Sequence, residues 1–301
     1  MLHFLPPLLK GILSLMIYTV NTISLSIPLI FMSFLKFLLP FRNIIVPVDR
    51  ALIGIATLWI SINSLNSRLF CRIEWDVRGL EQLQKKEWYL VISNHQSWVD
   101  ILALQTALNR HIPMLKFFLK KELIWVPFLG LAWWALDFPF MKRYSNATLR
   151  ANPKLKGKDI ESTRRACRKF KHTPVSIMNF VEGTRFTPEK KEAQSSPFHH
   201  LLKPKAGGIA FVMSAMGEYL HKIVNITIAY PEAAPSFWEY ISGEVTRIII
   251  DIEVIPITGE LKGDYFEDPA FKADFFNWLN RLWQEKDKKL SRLTALEHPD
   301  E

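Results

Sequence analysis

The sequence predicts an α/β fold: a mixed, mostly parallel sheet flanked by helices, preceded by an N-terminal hydrophobic helical hairpin. Three observations carry this expectation. Two long uncharged runs lie before residue 70. After Cys71 the pattern changes to short apolar strands alternating with amphipathic helices, the signature of a layered α/β domain. The 301 residues also leave room for one large domain or two ordinary ones, at ~100 to 200 residues per domain. The expected division is a membrane-anchoring hairpin over residues 1–70 and an α/β domain over residues 71–301.

Residues 11–35 form a run of 25 without a charge, about 37 Å as a helix and long enough to cross a ~30 Å hydrocarbon core. Pro28 is expected to kink it. A cleaved signal peptide is disfavoured, because the basic segment before the run is a single Lys10 and no A-x-A-like site follows. The second run, residues 51–67, has 17 residues, near the lower limit of ~17 for a span, and its Ser and Asn content suits lipid poorly. Full crossings would place Lys36, Arg42 and Arg50 on the side opposite the α/β domain, against the positive-inside rule. A hairpin that dips into one leaflet and returns is therefore the expectation.

Beyond Cys71, residues 72–78 alternate like an edge strand and residues 88–93 (WYLVIS) form a buried one. Residues 98–108 form a helix and residues 113–119 a further strand. Residues 123–136 are uncharged and contain Trp125, Trp133 and Trp134; their 14 residues suit a core or interfacial helix better than a span. A short strand is expected over 137–141. Ile160, Thr163, Cys167 and Phe170 then repeat at helical spacing with Lys and Arg on the other face. Strands are expected over 175–181, 224–229 and 247–255, helices over 208–220 and 268–290, and an irregular exposed excursion over 187–200.

Composition narrows the function. Lys and Arg number 38 against 29 Asp and Glu, a formal +9, which implies an anionic partner: nucleic acid, an acidic membrane surface or a phosphorylated substrate. The excess is local, with +4 in residues 1–70, +9 in residues 142–172 and −4 elsewhere. Clustered charge, a greasy N-terminus and no recognition motif argue against nucleic acid. Cys71 and Cys167 stand alone without metal-ligand spacing, so neither a disulfide framework nor a zinc site is expected.

Three constellations could carry chemistry. Asn94-His95-Gln96-Ser97-Trp98-Val99-Asp100 follows the buried strand, at the edge where open α/β sheets bind ligands. A histidine there can act as a general base while a carboxylate fixes its tautomer. Alone the spacing is weak, since about half of one H-x-x-x-x-D match is expected by chance, and Ser97-x-x-Asp100 also has the form of a helix cap. Glu182-Gly183-Thr184-Arg185 ends another apolar strand, with a glycine for close approach and a guanidinium fork suited to phosphate. A strand-end turn with a surface ion pair is the bland alternative. Lys142-Arg143 follows a third expected strand and by itself is a solvated charge pair.

Together these blocks resemble the glycerolipid acyltransferases, the lysophosphatidate acyltransferase family, over roughly residues 70–260. Asn94-His95 through Asp100 matches the family's N-H-x-x-x-x-D block, and Glu182 to Arg185 its E-G-T-R block. Arg143 falls at the strand-end arginine, and IVNITIAYP at the fourth block. The segments WYLVISNHQSWVDI, WVPFLGLAWWALDFPFMKRYS and WLNRLWQEKDKKL are most like inner-membrane members from proteobacteria. Val181 departs from the proline usual before E-G-T-R, which puts the loop's pose and the substrate choice in question.

The resemblance implies transfer of a fatty acyl group from a thioester of coenzyme A or acyl carrier protein to a lysophospholipid. The acceptor it implies first is the sn-2 hydroxyl of 1-acylglycerol 3-phosphate, giving phosphatidic acid. Glycerol 3-phosphate and lysophosphatidylglycerol are alternative acceptors, and a non-catalytic membrane scaffold is the alternative of a different class. His95 is the expected base and Asp100 its orienter. Arg143 and Arg185 would hold phosphate, with Gly183 and Thr184 in the same loop, and Glu182 would fix an arginine or bind a glycerol hydroxyl. Backbone N–H groups near Gly183 are the expected oxyanion donors. Lys203 and Lys205 carry a weaker phosphate-binding suggestion. No covalent intermediate is needed, in keeping with the lack of a G-x-S-x-G motif. No cofactor or metal is implied. The implied setting is the bacterial inner membrane with the α/β domain facing the cytoplasm.

Overall fold

The structure is a computed structural model that describes residues 2–39, 41–141, 173–217 and 219–295. It opens with two long helices, α1 (Pro7–Leu38) and α2 (Arg42–Phe70). These form an antiparallel pair. Asn66 Nδ2 donates to Ser14 Oγ (3.0 Å), Asn21 Nδ2 to Asn63 Oδ1 (2.8 Å), and Lys36 Nζ to Asp49 Oδ1 (2.6 Å). α1 runs as one helix through Pro28. Both helices are long and apolar enough to cross a membrane.

The α/β domain is built on a six-stranded sheet of order β1-β8-β7-β2-β6-β3: β1 (Glu74–Arg78), β2 (Tyr89–Ser93), β3 (Leu115–Phe117), β6 (Ser176–Phe180), β7 (Lys222–Ala229) and β8 (Arg247–Pro256). Only the β7 and β8 pair is antiparallel, so the sheet is mixed and mostly parallel, as the sequence predicts. β2 lies at its centre and is buried throughout. Its side chains alternate between two cores, Leu90 and Ile92 on one face, Tyr89 and Val91 on the other.

The first core is covered by α6 (Ala206–Met216) and α8 (Pro269–Ala295). In α8, Phe275, Leu279, Trp283, Leu290 and Leu293 recur at helical spacing and are buried. The second core is covered by α3 (Val99–Leu108) and by α7 (Phe237–Ser242), onto which α1 packs with Tyr18 against Phe237. A Cβ on Gly11 would meet the Trp238 ring at 2.7 Å, so glycine lets the helices approach closely.

Several elements differ from the expectation. The stretch 123–136 is not one helix but a 3₁₀ turn (Lys121–Trp125) followed by α4 (Leu129–Ala135). Pro127 supplies no N–H and Phe128 takes φ 61°, which breaks the helix, and Gly130 packs where a Cβ would lie 2.1 Å from Ile124 O. The expected strand at 113–119 divides into β3 and β4 (Leu119–Lys120). β4 pairs with β5 (Phe140–Met141) in a separate two-stranded ladder. The expected irregular excursion at 187–200 contains a short helix, α5 (Pro188–Ala193), with Thr187 as its cap and Pro188 at the first position. α7 was not foreseen, although Ser236 and Glu239 form a capping box and Gly243 closes it in the left-handed region. The helical face expected from Ile160 to Phe170 lies outside the described residues.

The hairpin rests along the α/β domain from one end to the other. Toward its open end α1 contacts α7, and at the same level Ser64 of α2 bonds Thr106 of α3 (3.0 Å). At the turn, Lys36 also donates to Asp137 Oδ2 (2.9 Å), and Leu29, Val48 and Leu52 join Ala132, Leu136 and Phe138 in a third apolar cluster.

Candidate active site

The central position of β2 explains why the two motifs meet. Ser93, its last residue, is in register with Phe180 of β6 and with Ile226 of β7. Parallel neighbours end on the same edge, so the loop after β2 and the loop after β6 emerge side by side. Asn94 continues the ladder with its side chain: Nδ2 donates to Ile228 O (2.9 Å), and Oδ1 accepts from Ile228 N (3.0 Å). This fixes the chain direction one residue before the histidine.

His95 Nδ1 lies 2.8 Å from Asp100 Oδ2, with the imidazole 12% exposed and the carboxylate fully buried. The ring stacks on Phe180 at 3.9 Å. Asp100 Oδ2 also accepts from Gln96 N (2.7 Å) and Ser97 N (3.0 Å), and Oδ1 accepts from the Tyr230 hydroxyl (2.6 Å). The capping geometry and the pairing with His95 therefore coexist on one carboxylate. Because Nδ1 is committed to Asp100, Nε2 is the nitrogen available to a ligand.

Glu182 departs from its expected place. It is fully buried and turned inward, where Oε1 accepts from His95 N (3.0 Å) and Oε2 from Leu202 N (2.7 Å). Among the described residues it reaches no arginine; it satisfies two backbone donors that the tight packing of three loops would otherwise leave orphaned. Burial pushes its carboxyl up to about 7. The loops are stitched further by Phe186 N to His95 O (2.7 Å) and Lys205 N to Val181 O (2.9 Å). Val181 donates its N–H to Ser93 O (3.3 Å), a bond that a proline could not make.

Gly183 turns the chain outward with φ 70°. Its own N–H bonds Phe180 O (2.9 Å). A Cβ here would lie 3.3 Å from Lys205 Nζ, which places that ammonium over the glycine. Lys190 Nζ donates to Thr184 Oγ1 (2.9 Å) and Arg185 O (3.0 Å), and the Arg185 guanidinium lies 4.7 Å from the centre of the Trp98 ring. Arg185, Lys190 and Lys205 therefore border one exposed loop beside His95. Arg143 and Lys142 lie outside the described residues.

The contributions of Tyr230, Phe180 and Lys190 were not legible in the motifs. For the first, the available signals were a tyrosine directly after a buried strand and its place in the fourth block, IVNITIAYP.

The chain belongs to the acyltransferase family, whose model matches residues 74–231 and so includes both motifs. It is 27% identical over 219 residues to mouse (Mus musculus) lysocardiolipin acyltransferase 1, covering 67% of this chain and 53% of that protein. It is 25% identical over 249 residues to human (Homo sapiens) 1-acyl-sn-glycerol-3-phosphate acyltransferase gamma, covering 74% and 60%. The chain thus spans little more than half the length of the curated relatives it matches. Its fold is similar to that of the 1-acyl-sn-glycerophosphate acyltransferase PlsC of Thermotoga maritima, with a TM-score of 0.55 at 16% identity over 96% of this chain and 98% of that one.

Proposed function

We propose that the protein transfers a fatty acyl group from an acyl thioester to the sn-2 hydroxyl of 1-acylglycerol 3-phosphate, giving phosphatidic acid. The observation that carries the reading is the His95–Asp100 pair, with Nε2 unpaired among the described residues and beside the loop of Arg185, Lys190 and Lys205. In this scheme the acceptor hydroxyl gives its proton to His95 Nε2 as its oxygen forms a C–O bond to the thioester carbonyl. Asp100 steadies the imidazolium. Collapse of the tetrahedral intermediate breaks the C–S bond, and the imidazolium returns the proton to sulfur. A thiol of pKa ~8.5 leaves more readily than an alkoxide, so no covalent enzyme intermediate is required. A base of this kind contributes typically ~10² to 10⁴ in rate.

Arg185 and Arg143 are the proposed phosphate ligands, with Lys205 as an added cation at the Gly183 turn. The donor is coenzyme A or acyl carrier protein bearing the acyl group, and no cofactor takes part. The exposed apolar face of the hairpin supports anchoring in a single leaflet of the bacterial inner membrane, with the α/β domain on the cytoplasmic side. Contact of both hairpin ends with that domain favours a re-entrant pair over two full crossings. A small cleft between hairpin and domain, lined by Ser26, Leu29, Ala56, Ile60, Met114 and Ala132, is mostly apolar. Another lysophospholipid is the second acceptor reading, favoured by the likeness to a protein named for lysocardiolipin.

The test is mass-spectrometric product identification with the full chain in phospholipid vesicles, given acyl-coenzyme A or acyl-acyl carrier protein and a panel of lysolipids and glycerol 3-phosphate. Phosphatidic acid formed from 1-acylglycerol 3-phosphate supports the reading. Transfer only to another acceptor rejects the substrate, and transfer to none rejects the activity.

A further inference from the structure

Tyr230 directly follows the last residue of β7, is almost fully buried, and ends on Asp100. We propose that Tyr230 is a positioning residue that holds the Asp100 carboxylate and thereby sets the basicity of the His95 imidazole. The inference rests on the acyl-transfer reading for its kinetic consequence, but the contact itself is independent of it.

The four donors on Asp100 divide unequally. Oδ2 receives His95 Nδ1, Gln96 N and Ser97 N, all from its own loop. Oδ1 receives Tyr230 alone among the described residues, from the neighbouring strand. Without that hydroxyl, one oxygen of a fully buried carboxylate would lack a donor, an expensive state. The bond also fixes the plane of the carboxylate, and with it the direction from which Oδ2 meets the imidazole.

The donor persists across the working range of pH. Burial, together with the Asp100 charge, raises the Tyr230 phenol well above its ordinary value, so it stays protonated. The other groups around the cluster are accounted for. Phe180 of β6 lies against the imidazole face, Glu182 receives the His95 backbone N–H, and Tyr240 of α7 adjoins Tyr230. Arg185, in the loop after β6, lies over the ring of Trp98 in the loop after β2.

A carboxylate that loses a donor becomes a stronger acceptor and attracts the imidazolium more strongly. Tyr230→Phe is therefore expected to raise the His95 pKa by about half a unit to one unit. The acid limb of kcat/KM moves to higher pH by the same amount. At its plateau kcat falls about tenfold while both KM values stay within about twofold, because the variant loosens the base and leaves the binding groups intact. Replacement of Tyr230 by 3-fluorotyrosine, a stronger donor of nearly the same shape, is expected to lower the His95 pKa instead.

The experiment is carbon-13 histidine NMR titration of the full chain in detergent micelles, with the His95 signal assigned by its loss in His95→Ala. The pH–rate profile of each variant is measured alongside. Opposite shifts in the two variants support the proposal. An unmoved His95 titration in both, with only a lowered melting temperature, overturns it and leaves Tyr230 as core packing. If Tyr230→Phe does not fold, the sign of the fluorotyrosine shift decides alone. Absence of transfer by the wild-type protein rejects the acyl-transfer reading, while the titration still decides the Tyr230–Asp100–His95 coupling.

Discussion

In the α/β domain, β2 turns Tyr89, Leu90, Val91 and Ile92 wholly inside; in the hairpin the buried residues include Ser14, Asn21, Ser26, Asn63 and Asn66. Outward, α1 presents Phe31, Phe34 and Phe37 at 66%, 56% and 73% exposure. Water explains the first region, where apolar area is removed from solvent and contributes ~25 cal/mol per Å². On the proposed membrane anchoring, hydrocarbon explains the second. Lipid-facing apolar side chains gain nothing by hiding, whereas polar groups must find one another, as Asn21 finds Asn63 and Trp59 O. On that reading one chain is folded for two solvents, and the candidate site lies in the part built for water.

That contrast can be broken from either side. The largest effect is expected at the catalytic edge, where Asp100→Asn should cost about 10² or more in kcat, since the amide cannot stabilise the imidazolium. Vesicle binding should be unchanged, as measured by co-sedimentation with anionic liposomes. Next, the triple change of Phe31, Phe34 and Phe37 to Asp should weaken liposome binding by about a hundredfold or more, because each aspartate is costly at membrane depth. Transfer to a short-chain, water-soluble acceptor should survive it. A smaller effect is expected for Arg185→Ala, which should raise the KM of a phosphate-bearing acceptor about 10- to 100-fold, as loss of a charge-assisted bond predicts. Arg185→Lys should recover only part of this, since an ammonium lacks the planar fork.

The smallest expected effect concerns pH and stability. Lys286 is buried in α8, where it donates to Ile226 O (2.5 Å) and Thr227 Oγ1 (3.2 Å). Burial lowers its ammonium to about 7, from 10.5. Above pH 7 and up to its unfolded value, the unfolded chain holds a proton that the folded chain has released, so this group makes stability rise with pH there. Glu182, raised from 4.5 to about 7, acts oppositely below pH 7, since the folded chain keeps a proton that the unfolded one loses. Lys286→Met should flatten the rise above pH 7 in detergent-solubilised thermal melts and leave the trend below it in place.

Much of the fold was legible because its signals are local. The buried strand WYLVIS, the helix after it and the amphipathic α8 each announce a period, and the uncharged runs announce the hairpin. The break at Pro127 was obscured by uniformly apolar neighbours. Within the site, His95 lies in the loop after β2 and Asp100 in the first turn of α3, so five residues of sequence bring them together. The inward turn of Glu182 leaves no mark in the sequence, since a charged side chain beside an arginine gives no sign that it serves the backbone of His95 and Leu202. Tyr230 was missed because an aromatic residue at a strand end looks like core until the facing carboxylate, 130 residues away, is in place.

The most direct test of the account compares wild-type protein with His95→Ala in the same liposomes, supplied with acyl-coenzyme A and 1-acylglycerol 3-phosphate, by mass-spectrometric quantification of phosphatidic acid. The account predicts turnover in the wild type and a loss of about 10² to 10⁴ in the variant, with membrane binding and melting temperature preserved. Equal product from both proteins would contradict it.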